Sequence, residues 1–405
     1  MSTKPKPGLP LESVRVLAVE QYGAGPFGTM ALADLGADVV KIEDRKSGGD
    51  FARGIGPYFV PGKDGEESEF FHSYNRNKRS FTVDLTTQAG RRVFHDLVKT
   101  ADVVASNLRG DVPEKLGLTY ETLKAVNKKI VCAHLSAYGR TGPRADWPGF
   151  DYLMQSEAGY FSLTGEPDGP PTRMGLSIVD QMTGLGLAYI IAAGVVGARS
   201  SGIGQDLDVS LFDVALSNLG YPATWYLNEG HVQTRLPRSG HPSLTPCQLY
   251  LTKDGSIFIM CNKEKFWPNL CLAIERHEWS DDPRFKTFTE RLENRALIQD
   301  LLDEVLSGKT TAEWLAIFSG DVPAAPVLSV EEALDNPFVR DHGRVVDLER
   351  DGFDPITVVA TAYRASASPA PHRAAPGLGQ HTETILSELG YDQAQIAELK
   401  RHGVI

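Results

Sequence analysis

The sequence predicts an α/β protein with a doubly wound, parallel-sheet large domain and a smaller α+β domain. Three observations predict it. Over residues 14–43 an apolar run, a glycine-rich turn, a helix and a second apolar run follow one another. That strand–helix alternation then recurs through about residue 220. Beyond it the texture changes to a Pro/Gly/Ser-rich connector, one hairpin and amphipathic helices.

Residues 14–19 (VRVLAV) have the short, continuous apolar character of a strand buried on both faces. The GAGPFG turn spans Gly23 to Gly28, a helix is expected over 29–35 with Gly36 stopping it, and DVVKIE over 38–43 is the second strand. Residues 86–100 read as helix and 102–106 as strand. Helix 120–126 precedes strand 129–135, and 204–210 alternates into a further strand before helix 211–219. Residues 182–198 carry no charge until Arg199 and contain Gly184, Gly186 and Gly194, with Asp180 just ahead. The run is short against the roughly 20 residues of a membrane span, so a buried core helix is expected.

The connector LPRSGHPSLTP covers 236–246, and 248–260 forms a hairpin around Asp254-Gly255. Helices are expected at 266–274, 292–306 and 311–318, then after a proline-rich stretch at 382–389 and 393–400. The domain reading is therefore a large domain over 1–220, a linker over 221–244, a small domain over 245–325, and a linker with C-terminal return over 326–405.

Composition narrows the function. The 405 residues are 41% hydrophobic and 23% charged, too apolar for a disordered chain. A net charge of -11 argues against general nucleic-acid or anionic-membrane binding. Cys132, Cys247, Cys261 and Cys271 make no close pair, so no zinc or redox motif is written, no metal is expected, and the thiols read as reduced in a cytoplasmic chain. The polar start MSTKPKP has no apolar run behind it to act as a signal peptide.

Gly23-x-Gly25-x-x-Gly28 after a strand, with Glu43 ending the next one, satisfies a dinucleotide fingerprint on paper. Pro26 removes one backbone N–H from the loop that would hold the pyrophosphate. A glycine turn that packs helix on sheet is the favoured explanation of the pattern.

The stretch from Gln21 to Arg53 contains Ala24-Gly25-Pro26, LGADVVKIE from Leu35 to Glu43, Gly49-Asp50 and Arg53. Asn75 to Ser80 reads NRNKRS, and Ala101-Asp102-Val103 is followed by Asn107. Gly142-Pro143, Pro148-Gly149-Phe150-Asp151, Gly204-Gln205, Asp281 to Phe285 (DDPRF) and Gly379 to Thr382 (GQHT) complete the series. In this order the blocks resemble the family III CoA-transferases, which include formyl-CoA and carnitine CoA-transferases, over nearly the whole chain.

The resemblance implies specific roles. The stretch from Pro170 to Gly184 is similar to the family's P-x-R-x-G-x-x-x-x-D-x-x-[ST]-G, whose Asp is the nucleophile, and that position is Asp180. From the residues alone, an Asp ahead of a long apolar helix is either a helix cap or a functional carboxylate. In the family's chemistry the carboxylate attacks a donor thioester, becomes an aspartyl-CoA thioester and is then attacked by an acceptor acid. Coenzyme A would enter as acyl-CoA substrate, with no permanently bound cofactor. Lys78 would meet its phosphates, with Asn107, Lys115, Leu116 and Tyr138 alongside, and Gln21, Tyr22, Gly23 and Ala24 would lie along it. Asp44 stands where formyl-CoA transferase has a contacting arginine, and Arg45 beside it is the candidate replacement. Ser239-Gly240 resembles a shortened form of the family's glycine loop. The implied assembly is a homodimer of ring-shaped subunits interlocked like chain links.

The same fold serves α-methylacyl-CoA racemases, but their proton-carrying His aligns with Phe150, which cannot carry a proton. A non-enzymatic acyl-CoA-binding protein would have no use for Asp180 in its motif. The partners expected are an acyl-CoA donor and a carboxylic acid, with succinyl-CoA and a small dicarboxylate as the specific pair. Arg140, Arg144 and Arg238 are candidates to hold the distal carboxylate.

Overall fold

A computed structural model describes residues 8–62, 65–350 and 353–405. The chain divides into two compact units. The first runs through Ala158, resumes over Gly175–Gly220 and ends with Arg340–Ile405; the second takes Gly159–Met174 and Tyr221–Val339.

The first unit is built on six parallel strands: β1 (Arg15–Val19), β2 (Asp38–Glu43), β3 (Arg79–Thr82), β4 (Val103–Ser106), β5 (Val131–Ser136) and β6 (Asp206–Ser210). Their order is β3-β2-β1-β4-β5-β6. The chain winds outward from β1 in one direction, returns, and winds outward from β4 in the other. The reversal lies between β1 and β4, and a crevice outside the strand C-termini at that point is where doubly wound sheets bind ligands. All residues of β4 and β5 are buried, which accounts for their largely apolar character.

Helices cover the sheet. Val93, Phe94 and Leu97 of one helix (Gln88–Val98) join Leu17, Val40, Phe81, Val104 and Cys132 in a single core. Ile385, Leu386 and Ile396 of the C-terminal helices Thr382–Glu388 and Gln393–Arg401 complete that core. The Thr82 amide donates to Thr382 Oγ1 at 2.9 Å, pinning the C-terminal segment beside β3.

The GAGPFG segment is not a loop. Helix α1 (Ala24–Asp34) begins five residues earlier than the sequence pattern predicts, so Gly23 is its cap residue and Gly25 and Pro26 lie in its first turn. Proline is tolerated there because first-turn amides have no intrahelical acceptor. The uncharged run belongs to α2 (Ile178–Ser201), which is long and apolar enough to cross a membrane by length and composition. It buries a stripe of Asp180, Thr183, Gly184, Leu187, Ile191, Val195 and Ala198. Its closest crossing with α1 needs two glycines. A Cβ on Gly28 would stand 2.2 Å from the Gly184 carbonyl oxygen, and one on Gly184 would stand 2.5 Å from that of Ala24.

The second unit has a three-stranded antiparallel sheet of β7 (Cys247–Leu251), β8 (Ser256–Met260) and β9 (Ala324–Pro326), with β8 central. Trp267, Phe285, Leu302 and Trp314 pack with Tyr250, Ile257 and Ile259 into its own core.

Candidate active site

The loop leaving β1, from Glu20 to Gly23, is fixed from three sides. The Gln21 amide donates to Asn107 Oδ1 at 2.8 Å, and Asn107 Nδ2 donates back to the Gln21 carbonyl at 2.7 Å. This reciprocal pair ties the loop after β1 to the loop after β4, across the point where strand order reverses. Asp50 Oδ1 accepts from the amides of Tyr22 (2.9 Å) and Ala52 (2.8 Å). These bonds hold Tyr22 at φ +70°, a left-handed conformation that a bulky residue adopts only under constraint.

Beneath the loop lies a buried charge network. Lys41 Nζ pairs with Asp50 Oδ2 at 2.7 Å and donates to the Glu20 carbonyl at 3.1 Å. Lys78 Nζ reaches Glu20 Oε1 at 2.8 Å, the Pro26 carbonyl at 2.9 Å and Asn75 Oδ1 at 2.9 Å. Glu43 takes two bonds from Arg53, at 2.8 Å each, and one from Ser80 Oγ at 2.6 Å. Its carboxyl lies below the usual range: the arginine and Ser80 overcome the opposing cost of burial. The Gly49-Asp50 and Arg53 signature thus has a local purpose, which is to brace the loop after β1.

Asp180 lies in the first turn of α2, facing this loop. It is not the helix cap: Ser177 is the cap residue and makes no side-chain capping bond. The Asp180 amide instead donates to Oδ2 of Asp151, at 2.9 Å, from the start of helix Asp151–Glu157. Gln155 Nε2 holds the other Asp151 oxygen at 2.6 Å. Asp180 is only 9% exposed, and its carboxylate accepts no hydrogen bond among the described residues. Burial, and secondarily the Asp151 charge, pushes its carboxyl up from 3.8 to about 7. The phenols of Tyr22 and Tyr74 are raised too, first by burial and then by the Asp180 charge. Tyr74 hydrogen-bonds Gln181. Those two side chains, with Phe27, Met30 and Ile356, line a cavity of about 1320 Å³.

The residues singled out from sequence fall into three groups. Gln21, Tyr22, Gly23, Ala24 and Asn107 meet at the strand-order reversal, with Asp180 against them. Arg45 is exposed on a short turn directly beyond the C-terminal end of β2 and makes no ion pair among the described residues. Lys115 lies on the surface, paired with Asp111 at 2.5 Å, and Leu116 packs against the core. Tyr138 donates to Glu157 at 2.7 Å and packs edge-on to Trp147.

Lys78 departs from its expected place. Its side chain is wholly buried and its ammonium is satisfied by three acceptors, so in this conformation it offers nothing to a phosphate. Desolvation lowers its proton affinity to about 8. The three arginines are also committed: Arg140 to Asp208, Arg144 to Glu157, and, within the second unit, Arg238 to Asp303 at 2.5 Å. Ser239, like Arg238, has φ +55°, and both precede Gly240 in the second unit. Phe150, at the position where a racemase needs its proton carrier, caps the helix that Asp151 begins. Tyr74, Gln181 and the bond from Asp180 to Asp151 carried no signal in the sequence pattern.

A profile described as CoA-transferase family III matches residues 11–382. The chain belongs to the family III CoA-transferases. It is 35% identical, over 96% of its length and 98% of the relative's, to a succinate–glutarate CoA-transferase of Agrobacterium fabrum. It is 34% identical to the human succinyl-CoA:glutarate CoA-transferase, over 98% of this chain and 90% of that one. A succinyl-CoA:mesaconate CoA-transferase of Haloarcula hispanica is 33% identical over 94% and 96%. Among solved structures, a CaiB/BaiF family protein from Brucella suis superposes with a TM-score of 0.81 at 32% identity, covering 95% of this chain and all of that one. This CoA-transferase is therefore an enzyme acting on CoA thioesters, and the dinucleotide reading of its glycine turn falls away.

Proposed function

We propose that this enzyme moves CoA from succinyl-CoA, or a similar dicarboxylyl thioester, to a dicarboxylic acid, with Asp180 as the covalent nucleophile. The observation that carries the reading is the Asp180 carboxylate itself. It is buried, accepts no hydrogen bond among the described residues, and holds its proton up to about pH 7. A carboxylate so poorly stabilised is a better nucleophile than one in water.

The chemistry balances in four displacements. An Asp180 oxygen attacks the donor carbonyl and the CoA thiolate leaves with the electron pair, giving a mixed anhydride. The thiolate attacks the aspartyl carbonyl and expels the donor acid, giving an aspartyl-CoA thioester. The acceptor carboxylate attacks that thioester and frees the thiolate again. The thiolate then attacks the acceptor acyl carbonyl, restoring the Asp180 carboxylate.

The dicarboxylate assignment draws on the relatives, whose names specify glutarate and mesaconate as acceptors. Gln21, Tyr22, Gly23, Ala24 and Asn107 would lie along the CoA thioester, with Arg45 offering the charge for its phosphates. We expect a homodimer of the interlocked kind. The support is apolar surface on the α2 face, where Tyr189 is 75% and Val196 70% exposed in the single chain. The four buried free thiols fit a cytoplasmic location.

The test pairs succinate with butyrate as acceptors against one donor. Trapping by borohydride or hydroxylamine should modify Asp180, and peptide mass mapping reads it. Equal use of butyrate would remove the dicarboxylate assignment, and modification at another residue would remove the nucleophile.

A further inference from the structure

We infer that the backbone amides of Ala24 and Gly25, at the N-terminus of α1, are the oxyanion donors for the two displacements in which the aspartyl carbonyl of Asp180 is attacked. This rests on the reading of Asp180 as nucleophile.

The two amides are left over by the way α1 begins. Its first helical bond runs from the Phe27 amide to the Gly23 carbonyl at 2.9 Å, so Ala24, Gly25 and Pro26 come before any intrahelical donor. Pro26 has no N–H, which leaves two orphan donors. Gly23, the cap residue, has no side chain with which to cap them. Continuing the helix backwards would need the carbonyls of Glu20 and Gln21. Both are engaged by side chains: Lys41 Nζ donates to the first at 3.1 Å and Asn107 Nδ2 to the second at 2.7 Å. Asn107 lies against Gly25, but its Oδ1 is committed to the Gln21 amide at 2.8 Å. Neither amide donates to an acceptor among the described residues, although both residues are buried. Buried backbone donors without a partner are rare in folded proteins.

A second observation points to the acceptor. The Asp180 side chain is buried at the same corner and accepts no hydrogen bond among the described residues. Oδ2 is its oxygen nearest Gly23, 2.4 Å from where a Cβ would stand. Gly23 adjoins Ala24, so Oδ2 lies at the end of α1 where the amides are unused. Oδ1 is then the oxygen that attacks the donor thioester, and Oδ2 remains the carbonyl oxygen of the anhydride. When the CoA thiolate adds to that carbonyl carbon, the C–S bond forms and the π pair moves onto Oδ2. Collapse restores the carbonyl and expels the donor acid with the electron pair of the C–O bond. The acceptor carboxylate repeats the sequence on the thioester: its oxygen bonds to the same carbon, the charge falls again on Oδ2, and the thiolate leaves. Two N–H donors and the positive end of an 11-residue helix meet that charge as it develops. Resting Asp180 makes neither bond, so the stabilisation belongs to the transition states and raises kcat instead of affinity.

The experiment replaces single backbone amides by esters, which deletes one N–H and keeps the side chain. Lactic acid in place of Ala24 and glycolic acid in place of Gly25 remove the two donors one at a time. Lactic acid in place of Ala33 deletes an interior amide of the same helix and is the control. The readouts are kcat, KM for acyl-CoA, melting temperature and the rate of aspartyl-thioester formation in a single turnover. Each of the first two esters should lower kcat and the single-turnover rate by about 100-fold or more, with KM within about twofold. The Ala33 ester should lower the melting temperature and keep kcat near wild type. Should one of the two N-terminal esters fail to fold, the other decides alone. N-terminal esters with the kcat of the control overturn the inference, and so does a loss that appears in KM with kcat unchanged; both leave the nucleophile in place. A wild type that traps at a residue other than Asp180 overturns both readings.

Discussion

Gly23 and Asp180 approach so closely that a Cβ built on Gly23 would stand 2.4 Å from Oδ2 of the carboxylate. The glycine is therefore required by the position of the Asp180 side chain. Gly23→Ala should force the Asp180 side chain aside by roughly an ångström. Displacements of that size at a reacting atom cost about 100-fold. The variant should keep its melting temperature within a few degrees, because only a side-chain tip must move, and lose activity by about that factor. Near-normal turnover would mean that the carboxylate works from another rotamer.

Lys78 carries the next expectation. Its ammonium lies among Glu20, Asn75 and the Pro26 carbonyl, under the loop that carries Tyr22 and Gly23. Removing one partner of a buried ion pair costs about 3–5 kcal/mol, because the other charge is left uncompensated. Lys41 relieves part of this, since its Nζ is 3.7 Å from Glu20 Oε1. Lys78→Met should therefore lower the melting temperature clearly, with a KM for acyl-CoA near wild type in whatever folds. A stable variant with a strongly raised KM would return Lys78 to the phosphate contact expected from sequence.

The contrast between these two residues shows what a sequence exposes. Strands β4 and β5 are legible because both faces are buried and apolar residues dominate them. The start of α1 is hidden in the sequence because Gly25 and Pro26 carry strong turn signals, and only the packed neighbour α2 explains why they form a helix instead. Asp180 was identifiable from a motif with fixed spacing. Its partner Asp151 lies in the PGFD segment, but no local period links positions 29 apart, so their hydrogen bond comes from tertiary packing alone. The burial of Lys78 was hidden for the same reason: Glu20, 58 positions away in sequence, is what captures it.

The raised proton affinity of Asp180 has a consequence for stability. Its carboxyl titrates near 7 in the folded chain, against 3.8 as its ordinary value. Between those values the folded state binds more protons than the unfolded one, so this group's contribution to stability falls as pH rises from about 4 to about 7. The full difference is roughly 4 kcal/mol at most. Asp180→Asn removes the titration and should be inactive. It should match the wild-type melting temperature near pH 4.5 and exceed it by several degrees at pH 8. An Asn variant that gains nothing at pH 8 would show that the charged carboxylate is well solvated in the free enzyme.

We propose that Arg45 meets the CoA phosphates. It follows β2 directly, so it stands at the same C-terminal edge of the sheet as the loop after β1. Its neighbour Asp44 accepts from the Lys46 amide at 3.0 Å, Lys46 is occupied by Asp84 at 2.5 Å, and Lys115 is held by Asp111. Arg45 has no such partner among the described residues, and an arginine free to form a fork suits a phosphate. At an exposed position such a contact is worth about 1 kcal/mol, or roughly fivefold. Arg45→Ala should raise the KM for acyl-CoA by about that factor with kcat unchanged, because the phosphates bind equally in ground and transition states. The difference should shrink in high salt as the charge is screened. Lys115→Ala, which gives up an existing surface pair, should change KM less. Initial rates at two ionic strengths decide between them: an Arg45→Ala enzyme with wild-type KM at low salt would mean that the phosphates are met elsewhere.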